Sequence, residues 1–240
     1  MYDHVSLAVA DLAASTRFYT ALLGREPGHV AEDYVEWEDL DLFRTGADRP
    51  VTTGLHVALA MPSTDAVDAA WRRGREVGAP DDGAPGPRSA YGPTYYGGFL
   101  RDPDGNSAEA VWRQELRRGG DIDHLWVRVR DPEASAAFYD AIAPLAGLRR
   151  VEHVPGACVH YAMADGGLLR LLAGAPTTPF HLAFAASDRA TVDAFWARAT
   201  EAGHRDNGGP GERPEYHPGY YGAFVLDPDG HNVESVFHDR

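Results

Sequence analysis

The sequence predicts an α+β protein of two tandem modules, each of paired βαβββ units forming a curled, partly open mixed sheet with helices outside. Three observations lead there. The chain repeats itself: Asp3-His4-Val5, Asp11 and Phe18-Tyr19 return 120 residues on as Asp123-His124-Leu125, Asp131 and Phe138-Tyr139. From Leu55-His56-Val57 onward the spacing to the second copy is 125, so that copy carries five extra residues between Phe138 and His181. Within each copy, short alternating runs and helical stripes follow one another twice. Finally, 240 residues with 44% apolar content suffice for two cores.

The elements follow in order. Val5, Leu7 and Val9 alternate with His4, Ser6 and Ala8, the period-2 pattern of a half-buried strand. Asp11 is suited to cap a helix that places Leu12, Ser15, Phe18 and Leu22 on one stripe and stops at Gly24. In the second copy Asp131-Pro132 supplies an N-cap followed by proline at the first helical position. A strand over Leu55–Ala60 opens the next unit. The helix from about Ser63 then turns Val67, Ala70 and Trp71 inward and ends near Gly78. Asp102-Pro103-Asp104-Gly105 and Asp227-Pro228-Asp229-Gly230 each separate two apolar runs, as a hairpin turn does. Two sibling domains are expected, 1–117 and 121–240, divided at the polar stretch Arg117-Arg118-Gly119-Gly120.

Composition removes several functions. The formal charge of −14 disfavours nucleic acid and anionic membrane surfaces. No stretch is apolar enough to span a membrane, and Met1-Tyr2-Asp3-His4 lacks the build of a signal peptide, so a cytoplasmic protein is expected. All 22 positive residues are arginine, which excludes Schiff-base lysine chemistry. Cys158 is the only cysteine, so neither an intrachain disulfide nor a thiolate metal cage can form. Histidine and carboxylate must carry any demanding chemistry.

Alternation turns His4 and His56 away from their apolar strand neighbours. Glu109 lies four residues past the hairpin glycine. If the sheet curls with its helices outside, these three face one concave side, and two imidazoles with one carboxylate suit a divalent cation. The second copy repeats the set as His124, His181 and Glu234. Nothing in folding alone demands the same three residues twice. Two and four residues past the first-strand histidine stand Ser6 and Ala8 in one copy, Trp126 and Arg128 in the other. Tryptophan offers a flat apolar wall and arginine a forked donor, so both are candidate substrate-binding residues. His217 is the candidate general base, with Tyr216 and Tyr221 as candidate substrate-binding hydroxyls.

These histidines and glutamates resemble those of the vicinal oxygen chelate superfamily, as do the repeated βαβββ order and the run Tyr-Tyr-Gly-x-Phe-x-x-Asp-Pro-Asp-Gly-x-x-x-Glu. That group includes glyoxalase I, extradiol dioxygenases, fosfomycin-resistance transferases and bleomycin-resistance proteins. The resemblance implies metal ligation by His4, His56 and Glu109 and by His124, His181 and Glu234. It also implies that barrels close either within a module or by exchange of half-modules; in the second case His4 joins His181 and Glu234, and His124 joins His56 and Glu109. Glyoxalase I is similar but adds a carboxylate ligand on the strand before the fifth. The second copy offers Leu168-Leu169-Arg170-Leu171-Leu172 there, and in the first Asp41 is available although Leu42-Phe43 fit the strand better. His217 falls where extradiol enzymes carry a histidine, but Phe224 stands where their tyrosine follows, and Gly92 replaces His217 in the first copy.

The expected function is therefore that of a divalent-metal-dependent enzyme, a glyoxalase-like lyase or isomerase or an extradiol-type dioxygenase, acting on a small oxygen-chelating substrate. Fe2+, Mn2+, Zn2+ and Ni2+ are all candidates for the ion. The alternative is a bleomycin-resistance-like protein that sequesters an aromatic antibiotic in a cleft lined by Trp37, Trp112 or Trp126. Partners are expected to be small molecules, with the chain a monomer or homodimer.

Overall fold

The computed structural model describes residues 1–47 and 49–239. The chain runs through four βαβββ units. The first comprises β1 (Tyr2–Val9), α1 (Leu12–Leu23), β2 (His29–Val30), β3 (Tyr34–Glu36) and β4 (Leu40–Arg44). The second comprises β5 (His56–Ala60), α2 (Thr64–Glu76), β6 (Asp81–Pro87), β7 (Tyr96–Arg101) and β8 (Ser107–Trp112). The third comprises β9 (Ile122–Val129), α3 (Pro132–Ala146), β10 (Leu148–Val154), β11 (Cys158–Met163) and β12 (Leu168–Ala173). The fourth comprises β13 (His181–Ala185), α4 (Arg189–Glu201), β14 (Arg205–Glu212), β15 (Tyr220–Leu226) and β16 (Asn232–His238).

Local chemistry accounts for the boundaries. The Asp11 carboxylate accepts from the Ala14 N–H at the start of α1, and Gly24 closes that helix with φ of 73°. Ser63, Asp131 and Asp188 cap the other three helices in the same way. In the β7–β8 turn, Asp102 Oδ1 accepts from the backbone N–H groups of Asp104 and Asn106, and Gly105 takes φ of 85°. Asp227 and Gly230 repeat this in the β15–β16 turn. The hairpins are thus fixed by an aspartate as well as by proline and glycine.

The sixteen strands form two eight-stranded mixed sheets, neither closed into a barrel, in the orders β14-β15-β16-β13-β1-β4-β3-β2 and β10-β11-β12-β9-β5-β8-β7-β6. Each sheet joins the first half of one sequence repeat to the second half of the other. β1 runs antiparallel to β13 with Ser6 opposite His181, and β5 runs antiparallel to β9 with His56 opposite Trp126. Of the two closures that the family resemblance implies, the exchanged one is present, and it is made within a single chain.

Helices α1 and α4 pack on the first sheet, α2 and α3 on the second, and α1 meets α2 while α3 meets α4. One continuous core results, holding Phe18 and Leu59 from the first repeat together with Phe138, Leu171 and Phe195 from the second. The segment around Arg117 reads in sequence as a polar linker, yet Arg117 is buried. Its guanidinium binds Asp39, Asp165 and the carbonyl oxygens of Tyr2 and Ile122. A charge in that setting is tolerated because four of its five donors are met, two of them by carboxylates. The connection is therefore a packed junction.

Candidate metal centres

The exchanged sheets bring the six predicted ligands together as two triads. His4, His181 and Glu234 form one, and His56, Glu109 and His124 the other; in each, one potential ligand atom per residue lies within 4.8 Å of the others. In the first, His181 Nε2 is 3.0 Å from both His4 Nε2 and Glu234 Oε2, and His4 Nε2 is 3.8 Å from Glu234 Oε2. In the second, Glu109 Oε2 is 3.1 Å from His56 Nε2 and 3.6 Å from His124 Nε2. Ligands about 2.1 Å from one ion stand about 3.0 Å apart at right angles and about 3.4 Å apart at the tetrahedral angle. Three of the five spacings fall in that range, and the His4–Glu234 and His124–Glu109 pairs, at 3.8 and 3.6 Å, stand slightly wider. His124 Nε2 is moreover buried with no hydrogen-bond partner, an orphan that a cation would satisfy.

The surrounding residues orient every ligand. All four imidazoles turn Nε2 inward because Nδ1 is held from behind. Asp3 holds His4 at 2.8 Å, Asp123 holds His124 at 2.8 Å, Ser107 holds His56 at 3.1 Å and Asn232 holds His181 at 2.8 Å. The Asp3 and Asp123 carboxylates and the Ser107 hydroxyl, which itself donates to Asp82, accept from Nδ1–H, and such partners fix the tautomer and raise ligand basicity. Asn232 presents its Nδ2 amide donor and so orients the His181 ring only. Each glutamate keeps Oε2 inward while Oε1 accepts from a tyrosine hydroxyl, Tyr95 for Glu109 at 2.8 Å and Tyr220 for Glu234 at 2.7 Å.

Two glycines make room for this. A Cβ on Gly97 would lie 2.2 Å from Glu109 Oε1, and one on Gly222 would lie 2.5 Å from Glu234 Oε1. The Tyr-Tyr-Gly run common to both repeats thereby acquires a physical meaning. Its first tyrosine holds the glutamate and its glycine makes space for it.

Protonation differs among the imidazoles. Burial pushes His56 and His181 below the usual histidine range, which leaves them neutral, the ligand form, at neutral pH. Burial also acts to lower His4, but the Asp3 hydrogen bond and the charges of Asp41 and Glu234 outweigh it and lift the group to about 9. A cation at His4 competes with that proton.

The remaining predicted residues are distributed unevenly. Trp126 and Arg128 line a cavity of about 370 Å3 that also contains His56. The Trp126 ring lies 4.9 Å from the His56 ring and 5.5 Å from the Tyr91 ring. Tyr216 is largely exposed, its ring 4.9 Å from Tyr220. Tyr221 points the other way: its hydroxyl donates to Asp193 of α4 at 2.8 Å, on the helix-covered face. Strand alternation explains the correction, since Tyr220, one residue earlier, is the one that meets Glu234. Trp37 and Trp112 likewise pack into the core on the helix side and do not line the cleft expected for them.

His217 connects to the first triad indirectly. Its Nε2 is 2.9 Å from His238 Nδ1, His238 Nε2 is 3.0 Å from Asp3 Oδ2, and Asp3 in turn holds His4. In the other half Arg113 occupies the place of His238 and binds Asp123 with two donors at 3.0 Å. Asp41 lies on β4 beside Leu42 and Phe43, with Oδ2 accepting from Ser6 at 3.1 Å, and belongs to neither triad. His238, Asp3 and Asp123 escape a reading confined to one strand at a time. The Asp-His pair in both repeats is the sequence signal for the two aspartates.

The family model described as Glyoxalase/Bleomycin resistance protein/Dioxygenase superfamily matches residues 2–110 and again 121–235. The chain belongs to that superfamily. As a superfamily member it resembles glyoxalase I from Zea mays, at 22% identity and a TM-score of 0.70, over 99% of this chain and 92% of that one. It also resembles a putative dioxygenase from Bacillus subtilis subsp. subtilis str. 168, at 17% identity and a TM-score of 0.68, over 100% and 85% of the two chains. At these identities the likeness establishes a shared fold. No curated protein matches this superfamily chain. No described helix is long and apolar enough to cross a membrane.

Proposed function

We propose that this superfamily chain is a divalent-metal-dependent enzyme, a glyoxalase-like lyase or isomerase or an extradiol-type dioxygenase, acting on a small oxygen-chelating substrate. The observation that carries the reading is the inward Nε2 of four imidazoles, each fixed by a partner on Nδ1, beside a tyrosine-held carboxylate in both triads. Buried groups so arranged and left without a cation are costly.

His4, His181 and Glu234 would hold one ion, and His56, Glu109 and His124 the other, with Fe2+, Mn2+, Zn2+ and Ni2+ as candidates. When bound, such an ion supplies Lewis-acid stabilisation of charge developing on a substrate oxygen. The chain does the rest. Asp3 and Asp123 keep His4 and His124 from rotating, and Tyr95 and Tyr220 keep the carboxylates aimed. Trp126 and Arg128 position a substrate against the His56 triad. His217 is the group we assign to proton transfer, joined to the His4 triad by way of His238 and Asp3.

Elemental analysis of protein purified without added metal tests the proposal. Close to one or two divalent ions per chain are expected, with at least one lost on His181→Ala or Glu234→Ala. A metal-free protein that binds an aromatic drug tightly would favour sequestration instead. That alternative has lost two of its three aromatic wall residues, Trp37 and Trp112, to the helix-side core.

A further inference from the structure

The two triads are near copies, but the walls beside them differ in charge. Arg88 has a counterpart in Arg213, which lies over Phe224 as Arg88 lies over Phe99, whereas Arg101, Arg128 and Arg170 have no cationic counterpart. Position by position across the sheets, Trp126 stands opposite His56 where Ser6 stands opposite His181. The next strand outward places Arg170 beside Trp126 and Asp41 beside Ser6. Two residues further along, Arg128 corresponds to Ala8. On the other flank, Arg101 and Leu226 occupy matching places. Every change in this series replaces an acidic, small or apolar side chain by a cation or a flat aromatic ring.

The result is concentrated in the 370 Å3 cavity beside His56. Three guanidinium groups, from Arg88, Arg101 and Arg128, line it with a single carboxylate, Asp82. Asp82 is engaged by Arg101 at 2.7 Å. The Arg88 guanidinium lies over the Phe99 ring and donates to the carbonyl oxygen of Ala84 at 2.6 Å, and it is paired with no carboxylate among the described residues. Arg128 is paired with no carboxylate among the described residues. Two uncompensated cations in a partly enclosed space favour an anion, and guanidinium groups match a carboxylate through paired donors. The Trp126 ring lines the same cavity. At 370 Å3 the space sits near the small end of ligand pockets, the size for a ligand built on one ring.

We infer that the cavity at the His56–Glu109–His124 centre takes a planar organic anion, a carboxylate carried on a single aromatic or conjugated ring, and that the His4–His181–Glu234 centre does not share this specificity. The inference rests on the proposed function in placing that ligand beside a metal ion, while the anion preference itself rests on the arginines. The two centres of one chain therefore serve different ligands, with the anionic one confined to the cavity rich in arginine.

The test uses salicylate and its neutral isostere salicylamide as probes, titrated calorimetrically into the Mn2+-loaded full chain. Salicylate should bind once per chain and at least tenfold more tightly than salicylamide. Arg88→Gln and Arg128→Gln, neither of them at a buried position, should each reduce that preference, and the double variant should abolish it. Glu234→Ala should leave salicylate binding in place. Equal affinity for the two probes, two equivalent salicylate sites, or a preference untouched by the arginine variants would overturn the inference. The same titration after EDTA treatment, with metal content measured in parallel, separates it from the underlying reading. A tenfold preference that survives in protein unable to hold Mn2+ supports the anion cavity while the metal proposal fails. Two bound ions with no preference do the reverse.

Discussion

His4 Nε2 and His181 Nε2 lie 3.0 Å apart across 177 residues of sequence. That contact exists because β1 pairs with β13, so the first strand of one repeat completes a sheet begun in the other. His56 and His124 repeat the relationship, their ring centroids 5.4 Å apart. Each triad is divided between the sequence repeats, so neither repeat can assemble one by itself.

The glycines beneath the carboxylates give one prediction. A methyl group at Gly222 would meet Glu234 Oε1 at 2.5 Å, a separation that real Cβ atoms do not show. Gly222→Ala should therefore displace the carboxylate and lose metal at the His4 centre, with the other centre unchanged. Gly97→Ala should do the opposite. Metal content of the two variants checks this, and circular dichroism confirms that the fold survives.

Asp41 gives a pH dependence. Burial and the neighbouring charge of Glu36, opposed by His4, push its carboxyl up to about 6. The folded chain thus holds this proton where the unfolded chain, near 3.8, has released it. Stability from this site is fully present below about pH 4 and falls as pH rises through 6, by on the order of 2–3 kcal/mol. Asp41→Asn keeps an acceptor for Ser6 and removes the titration. The variant should match the wild type near pH 4 and exceed it by that order at pH 7.5, read from urea unfolding at both values.

Arg117 gives a stability prediction. Its guanidinium ties Asp39 of the first repeat to Asp165 of the second and is almost wholly buried. Removing one member of such a buried network strands the others, and the cost is about 3–5 kcal/mol. Arg117→Met should lose that much in denaturant unfolding. The Asp39→Asn/Arg117→Met/Asp165→Asn triple variant should recover part of it, because no unpaired carboxylate remains.

Much of this architecture is legible in the amino-acid sequence. The caps Asp11, Ser63 and Asp131 and the stop at Gly24 stand where single residues decide geometry. The six candidate ligands are legible because period-2 alternation fixes the face of a strand residue. Tyr221 escapes the same rule, since the run Tyr220-Tyr221 offers no alternation to decide which ring turns inward. The exchange of halves is hidden for a different reason. Strand pairing between β1 and β13 depends on which edge meets which, and similar repeats present equivalent edges. Arg117 reads as linker because charge in a glycine-bearing stretch marks a surface unless its distant partners are known.

The central claim is that two metal centres exist and that each is assembled across the repeats. Metal stoichiometry in two double variants tests it most directly. His4→Ala/His181→Ala removes two ligands from one centre and should leave one ion per chain, whereas His4→Ala/His56→Ala damages both and should leave none. One ion retained by His4→Ala/His56→Ala, with none in His4→Ala/His181→Ala, would contradict the account.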